Sequence, residues 1–152
     1  MNESEKDRNV ASLVHVVFLA SVGVYAVLVW VARSGGTAPR DPAGRTEALA
    51  FCFLAIGIGE NAWVSWLGRR RLARASGTPE ARVRSFFYLR FGAAQAPALF
   101  GLMLGFSGGS FLAAGLLFAM SLAYLVAAAP SRGAWGQARA EAAGTGGTAP
   151  PG

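Results

Sequence analysis

The sequence predicts an all-α fold, an integral membrane four-helix bundle built from two antiparallel hairpins. Three observations lead to this fold class. Four apolar segments each reach the roughly 20 residues that a helix needs to cross a bilayer. Only 14% of the 152 residues are charged, whereas a typical soluble domain has about 25%. The link "SGGS" is so short that the third and fourth segments must be antiparallel neighbours.

The transmembrane domain is predicted to cover residues 10–130, with spans at residues 10–31, 48–67, 86–106 and 109–129. The first span is predicted to be a retained helix, because its apolar run exceeds the roughly 7–15 residues of a signal peptide. Residues 1–9 are polar, and we expect them to fray. Residues 131–152 are rich in Gly, Ala and Pro without apolar periodicity, which predicts a disordered tail.

Basic residues are unevenly distributed along this chain of net charge +6. Ten of them lie in the N-terminus, the link between the second and third spans and the tail, and three lie in the first link. Short loops rich in Lys and Arg stay in the cytoplasm, so we predict the cytoplasmic membrane with both termini inside. The middle link lacks aromatic residues among its arginines, which disfavours nucleic-acid binding and favours anionic lipid as the partner.

Cysteine and histidine usage excludes several kinds of site. Cys52 and His15 are the only residues of their types, so neither an internal disulfide nor a usual zinc site can form. No carboxylate pair, cysteine or histidine accompanies a plausible nucleophile. The sequence therefore predicts no catalytic residues, no metal and no cofactor.

Small residues recur in the third and fourth spans at the spacing of one helical face. Helices associate in lipid through such residues because backbones can approach closely there. We predict helix packing, within the chain or between subunits, at Gly101, Gly105, Gly115, Ala119 and Ala123.

Polar residues inside the spans share one layer, about 6 to 13 Å from the cytoplasmic side at 1.5 Å per residue. The layer contains Glu60, Gln95, Arg90, His15 and Asn61. An ion pair between Glu60 and Arg90 and a hydrogen bond between Glu60 and Gln95 both fit these depths, while Arg90 has the further option of snorkelling to the headgroups. The layer either joins helices through hydrogen bonds or handles an ion through a carboxylate whose pKa is raised by burial.

A proline lies two residues after the glutamine of this layer. Pro97 has no N–H and clashes with the carbonyl of Ala93. The NH₂ group of Gln95 is one donor that can satisfy that carbonyl. A purely local role for Gln95 therefore stands beside a role facing Glu60.

Two short motifs flank the basic link, "AIGIGENA" (Ala55–Ala62) before it and "QAPALFGL" (Gln95–Leu102) after it, and the link contains Pro79–Glu80. With these motifs, residues 48–106 resemble the helical hairpin of subunit c, the proteolipid of rotary ATP synthases. In that family a glycine-rich helix leads through a polar cytoplasmic loop to a second helix, whose ion-binding carboxylate precedes an aromatic–Gly–Leu sequence by five residues.

The resemblance implies places for the polar residues. Phe100–Gly101–Leu102 takes the aromatic–Gly–Leu place, Gln95 stands where the family has its carboxylate, and Glu60 stands where some sodium-binding members have glutamine. In size and span number the chain also resembles the duplicated proteolipids of V-type ATPases. It further resembles small uncharacterised four-span bacterial membrane proteins that have Glu at the Gln95 position.

Two functions are consistent with these observations. The first is a non-enzymatic polytopic membrane protein, subunit-c-like in its central hairpin, which belongs to a homo-oligomer or another membrane complex. The alternative is a small proton or cation transporter that uses Glu60, because a membrane carboxylate can alternate between protonated and ionised forms. Enzyme activity lacks support from the residues present.

Overall fold

The computed structural model describes residues 3–36, 45–74 and 76–144 and confirms the all-α class. Within these residues there is no strand, and five helices follow one another: α1 Glu3–Ser34, α2 Arg45–Arg74, α3 Pro79–Phe106, α4 Phe111–Ala127 and α5 Arg132–Ala142. Helix α3 lies at the centre and packs against each of the other four. Eleven of its residues are buried, more than in any other helix for which burial is described.

Helix α3 is antiparallel to both α2 and α4. Along α2, the ring of Phe53 stacks on that of Phe100 with centroids 4.7 Å apart, and a Cβ at Gly68 would lie 2.8 Å from the Phe86 ring. The beginning of α2 therefore lies beside the end of α3, and the end of α2 lies beside the beginning of α3. The connection to α4 is the tight turn predicted for "SGGS", in which Gly108 has φ +83°.

Helix α1 runs parallel to α3 over most of its length. Arg84 pairs with Asp7 at one end, and Arg33 donates a hydrogen bond to the carbonyl of Gly109 at the other. In the described chain, α1 packs extensively against α3 and α4, and α2 packs against α3, α4 and α5. Helices α1 and α2 do not pack extensively against each other. The prediction that the first two helices form a packed hairpin is therefore wrong, because the buried residues of α1, such as Ala11 and Val22, are clustered with those of α3.

Both ends of the chain are more ordered than the sequence predicts. Helix α1 begins at Glu3, so most of the segment 1–9 is helical rather than frayed. The tail 131–152 is not uniformly disordered either, since α5 occupies its first half and residues 145–152 lie outside the described residues. Composition rich in Gly and Ala misled this prediction because one aromatic side chain and two buried alanines, Ala138 and Ala142, are enough to pack α5 against the bundle.

That aromatic side chain is Trp135, which is 4% exposed and stacks on Phe87 of α3 at a centroid distance of 5.2 Å. The Ser131 hydroxyl accepts from the backbone N–H of Ala134 at 3.2 Å, which is an ordinary N-cap. Arg139 pairs with Glu80 at 2.8 Å. Helix α5 is therefore held against the beginning of α3.

Three helices, α1, α2 and α3, are long and apolar enough to cross a membrane. Helix α4 has 17 residues and continues into α5 across a 68° bend, so a fourth crossing exists if this bent pair counts as one span. Large apolar side chains remain outside the core on every one of α1 to α4, for example Leu13, Phe51, Met103 and Leu112.

The two sets of small residues lie in different surroundings. A Cβ at Gly101 would lie 3.0 Å from the carbonyl oxygen of Ala114, and a Cβ at Gly105 would lie 2.6 Å from the Val29 side chain. In contrast, Gly115, Ala119 and Ala123 are exposed. These three are therefore not the packing face of α4 within this chain, and contact between subunits through them stays a prediction.

Candidate functional site: the polar layer around α3

The carbonyl freed by Pro97 is satisfied by a neighbouring helix. The Nδ2 of Asn61 on α2 donates to the carbonyl oxygen of Ala93 at 3.0 Å and also to that of Gly57 at 3.0 Å. Proline cannot supply the N–H that Ala93 would otherwise receive. The local role considered for Gln95 therefore belongs to Asn61, which joins α2 to α3 at the proline.

The next two residues of α3 make equivalent contacts with the other two long helices. The hydroxyl of Ser121 on α4 donates to the carbonyl of Ala94 at 2.7 Å. The Nε2 of Gln95 donates to the hydroxyl of Ser21 on α1 at 2.7 Å, and Ser21 in turn donates to the Phe18 carbonyl at 2.7 Å. Three consecutive residues of α3 are thus bonded to three different helices.

One polar atom of this set remains unsatisfied. The Gln95 side chain is 7% exposed, and its Oε1 is buried without a hydrogen-bond partner. A buried acceptor left without a donor costs about 1–3 kcal/mol. Gln95 faces α1, so the hydrogen bond to Glu60 considered from the sequence does not form.

Two other residues of the layer meet at the end of α4. The Nε2 of His15 lies 2.9 Å from the carbonyl oxygen of Leu125, and the guanidinium of Arg90 donates to that of Ala127 at 3.2 Å. The imidazole of His15 is buried against Phe91 at a centroid distance of 5.2 Å. The last carbonyls of a helix lack intrahelical donors, so His15 and Arg90 complete the hydrogen bonding of α4.

Glu60 is the exception in the layer. It is partly exposed, and no hydrogen bond or ion pair reaches its carboxylate from the described residues. The considered pair with Arg90 is therefore absent. Successive helical residues are about 100° apart, so Asn61 faces α3 while Glu60 lies at the flank of α2, one turn from Trp63, which is 59% exposed.

A cleft of about 250 Å³ opens where α2, α3 and α4 meet, and we refer to it as the Arg90 cleft. Its polar side chains are those of Asn61, Ser65, Arg90 and Tyr124. Apolar side chains of α2 and the last turn of α4 form the other walls. The arrangement can hold a small group that accepts hydrogen bonds and carries negative charge.

No group of three His, Cys, Asp or Glu side chains suited to a metal occurs among the residues that the structure describes. Cys52 is exposed on α2.

Sequence reasoning missed the hydroxyl groups of the layer. Ser21, Ser121 and Tyr124 lie in otherwise apolar stretches, and hydroxyls in membrane helices often join neighbouring helices. Their depth, which matches that of Gln95 and Arg90, was the available signal.

Comparison of the chain with protein-family models, with curated proteins and with solved structures gives no match. The function is therefore argued from the geometry of the site.

Proposed function

We propose that the chain is a non-enzymatic, polytopic integral membrane protein of the cytoplasmic membrane that serves as a subunit of a membrane assembly. In this proposal the exposed face of α2 around Glu60 is the contact surface, and the central hairpin of α2 and α3 is subunit-c-like. The antiparallel packing of α2 and α3 supports the subunit-c-like hairpin. The hydrogen bond of Gln95 goes to α1, however, whereas a site shared between α2 and α3 would have Gln95 facing α2.

Membrane insertion is supported by the surface of the bundle. Large apolar side chains such as Leu13, Phe51 and Leu112 are 67%, 75% and 74% exposed. Exposed apolar surface of this extent marks contact with lipid or with another protein. The basic residues collect at one end, where Arg84 and Arg139 pair with acidic partners, and this end is assigned to the cytoplasm by the positive-inside rule.

One observation carries the assembly proposal, namely the unpartnered carboxylate of Glu60. Glu60 lies seven residues before Leu67, the end of the predicted second span, about 10 Å deep at 1.5 Å per residue. A charged group at that depth is costly and normally faces a partner or a water-filled cavity. Because the bundle offers Glu60 no partner in its described part, a second molecule is the natural source of one.

Two arms test the proposal. Topology reporters fused after Gly36 and after Gly77 are expected to report opposite sides of the membrane, with Gly77 in the cytoplasm. A photoreactive phenylalanine at Trp63, near Glu60, should crosslink to a neighbouring protein in native membranes. The matched control is the same group at Val17 on α1, since both side chains are 59% exposed.

The decisive comparison uses Glu60→Gln. If Glu60 contacts a partner, the yield of the Trp63 adduct should fall severalfold in this variant, while the Val17 signal stays constant. Reporters on the same side of the membrane would overturn the insertion proposal. A Trp63 adduct that is no stronger than the Val17 adduct, or that is insensitive to Glu60→Gln, would overturn the assembly proposal.

The same carboxylate favours a second candidate, a small proton or cation transporter. Its lack of a partner leaves it free to bind a proton or a cation, and the aromatic face of Trp63 one turn away can contribute to holding a cation. Proteoliposomes should then show a flux of protons or cations that Glu60→Gln abolishes. Equal flux in both proteins would exclude this candidate.

A further inference from the structure

We propose that the Arg90 cleft binds the phosphate group of an anionic phospholipid of the cytoplasmic leaflet. The inference rests on the proposed membrane insertion but concerns a different surface from Glu60. It follows from the charge, the free donors and the depth of the cleft.

The charge of Arg90 is not compensated within the bundle. The two ion pairs of the described residues are Arg84 with Asp7 and Arg139 with Glu80, so neither involves Arg90. A guanidinium without an acidic partner favours an anion beside it, and a phosphate supplies one.

Hydrogen-bond donors in the cleft remain available. Arg90 has five N–H groups, of which one is donated to the Ala127 carbonyl. The hydroxyls of Ser65 and Tyr124 also line the cleft and have no hydrogen-bond partner in the described part of the chain. The amide of Asn61 is already committed to two carbonyls. The free donors therefore come from three helices and surround one space.

The mouth of the cleft, at Arg90 and Ala127, lies near the depth of the lipid headgroups, and Ile58 and Asn61 line its deeper part. Arg90 contacts Ala127, the last residue of α4, beyond which the chain bends by 68° into α5. The end of the apolar helix marks the boundary between acyl chains and headgroups, where phosphates lie. The apolar lining by Ile58 and Val64 suits the beginning of an acyl chain. A volume of about 250 Å³ accommodates the phosphate and glycerol part of one lipid.

The test measures lipid binding to the purified full chain by native mass spectrometry. The probes are phosphatidylglycerol, phosphatidylcholine with the same acyl chains, and soluble glycerol phosphate. We expect phosphatidylglycerol to bind more tightly than phosphatidylcholine and glycerol phosphate to bind hardly at all. Tyr124→Phe should weaken phosphatidylglycerol binding about tenfold, the loss of one hydrogen bond to a charged group, and Arg90→Gln, which also removes the positive charge, should weaken it more.

The control is Arg70→Gln, which removes an equal charge from the exposed end of the neighbouring helix α2. Its binding should stay within twofold of wild type. Arg90→Gln also removes a cap from α4, so Tyr124→Phe, which leaves the backbone contacts intact, decides the matter if Arg90→Gln does not fold.

Three results would overturn the lipid proposal. Equal binding of both lipids removes the anionic specificity, binding of glycerol phosphate as tight as that of phosphatidylglycerol assigns the site to a free phosphate, and unchanged binding in Tyr124→Phe places the lipid elsewhere. Each of these leaves membrane insertion intact if the reporters at Gly36 and Gly77 lie on opposite sides. Reporters on one side would instead remove the basis of both proposals.

Discussion

Helices α3 and α4 carry small residues at the same four-residue spacing, but only those of α3 lie against other helices of the chain. A Cβ at Gly101 would crowd α4, 3.0 Å from the Ala114 carbonyl oxygen, and a Cβ at Gly105 would clash with Val29 of α1 at 2.6 Å. Gly115 has no neighbouring heavy atom within 4 Å of such a Cβ, and Ala119 is exposed. A small-residue repeat therefore identifies a helix face on which close approach is sterically allowed, and the partner decides whether close approach occurs.

The position of α3 explains the difference. It is the helix that contacts all others, so Gly101 meets the backbone of α4 and Gly105 meets the Val29 side chain of α1. Helix α4 instead packs through a different set of buried residues, which includes Leu117, Ser121 and Leu125. The Gly115 and Ala119 face of α4 is left exposed.

The largest expected effect concerns the two faces of α4. Leu117→Ala removes a side chain that is fully buried and should destabilise the bundle by about 2 kcal/mol through the cavity left behind. Ala119→Leu on the exposed face should change stability by less than about 0.5 kcal/mol. Unfolding of both variants by a denaturing detergent, followed by circular dichroism, compares them with wild type.

This ranking is the reverse of what the small-residue repeat of α4 predicts, since a true packing face would suffer more from Ala119→Leu. Equal stability of the two variants, or a larger loss of stability in Ala119→Leu, would show that the Ala119 face of α4 packs inside the bundle and would contradict its exposure. A loss of assembly without a loss of stability in Ala119→Leu would instead assign that face to contact between subunits.

A smaller effect tests the polar contacts of α3. Asn61→Ala removes the donor to the Ala93 carbonyl, and Pro97→Ala gives that carbonyl an N–H from its own helix. The two substitutions should therefore be coupled, with Asn61→Ala costing about 0.6 kcal/mol less in the Pro97→Ala background. The double-mutant cycle is measured by unfolding in bicelles. Strictly additive effects would contradict the bond between Asn61 and the proline-freed carbonyl.

Local sequence patterns predicted the helices α1 to α4, but not α5, because each of those four has a strong local cause. Apolar runs of spanning length and the link "SGGS" each act over a short stretch of chain, whereas α3 begins at Pro79 after the Thr78 N-cap, seven residues before the predicted span. The fold class and the central hairpin follow from them. The polar layer was also visible as a set of depths, because depth along a helix depends only on the rise per residue.

Partner choice within the layer was not predictable from the sequence, because it depends on how each helix is rotated about its axis. Gln95 and Glu60 have similar depths, yet the Gln95 side chain faces α1, whereas the Glu60 side chain lies on the partly exposed flank of its own helix, α2. The placement of α5 likewise depends on one long-range contact, the stack of Trp135 on Phe87. Neither rotation nor a single distant contact leaves a periodic signal in the chain.

The most direct test of the central position of α3 is a disulfide between α1 and α3. In a Cys52→Ser background, Val29→Cys combined with Gly105→Cys places the two Cβ positions 3.1 Å apart, a few tenths of an ångström below the roughly 3.5–4.5 Å of a disulfide, so a small separation of α1 and α3 lets the bond form. Oxidation in membranes should give an intramolecular crosslink, whereas Val29→Cys with Gly115→Cys should give none. A crosslink in the second pair and none in the first would contradict the arrangement of α1, α3 and α4.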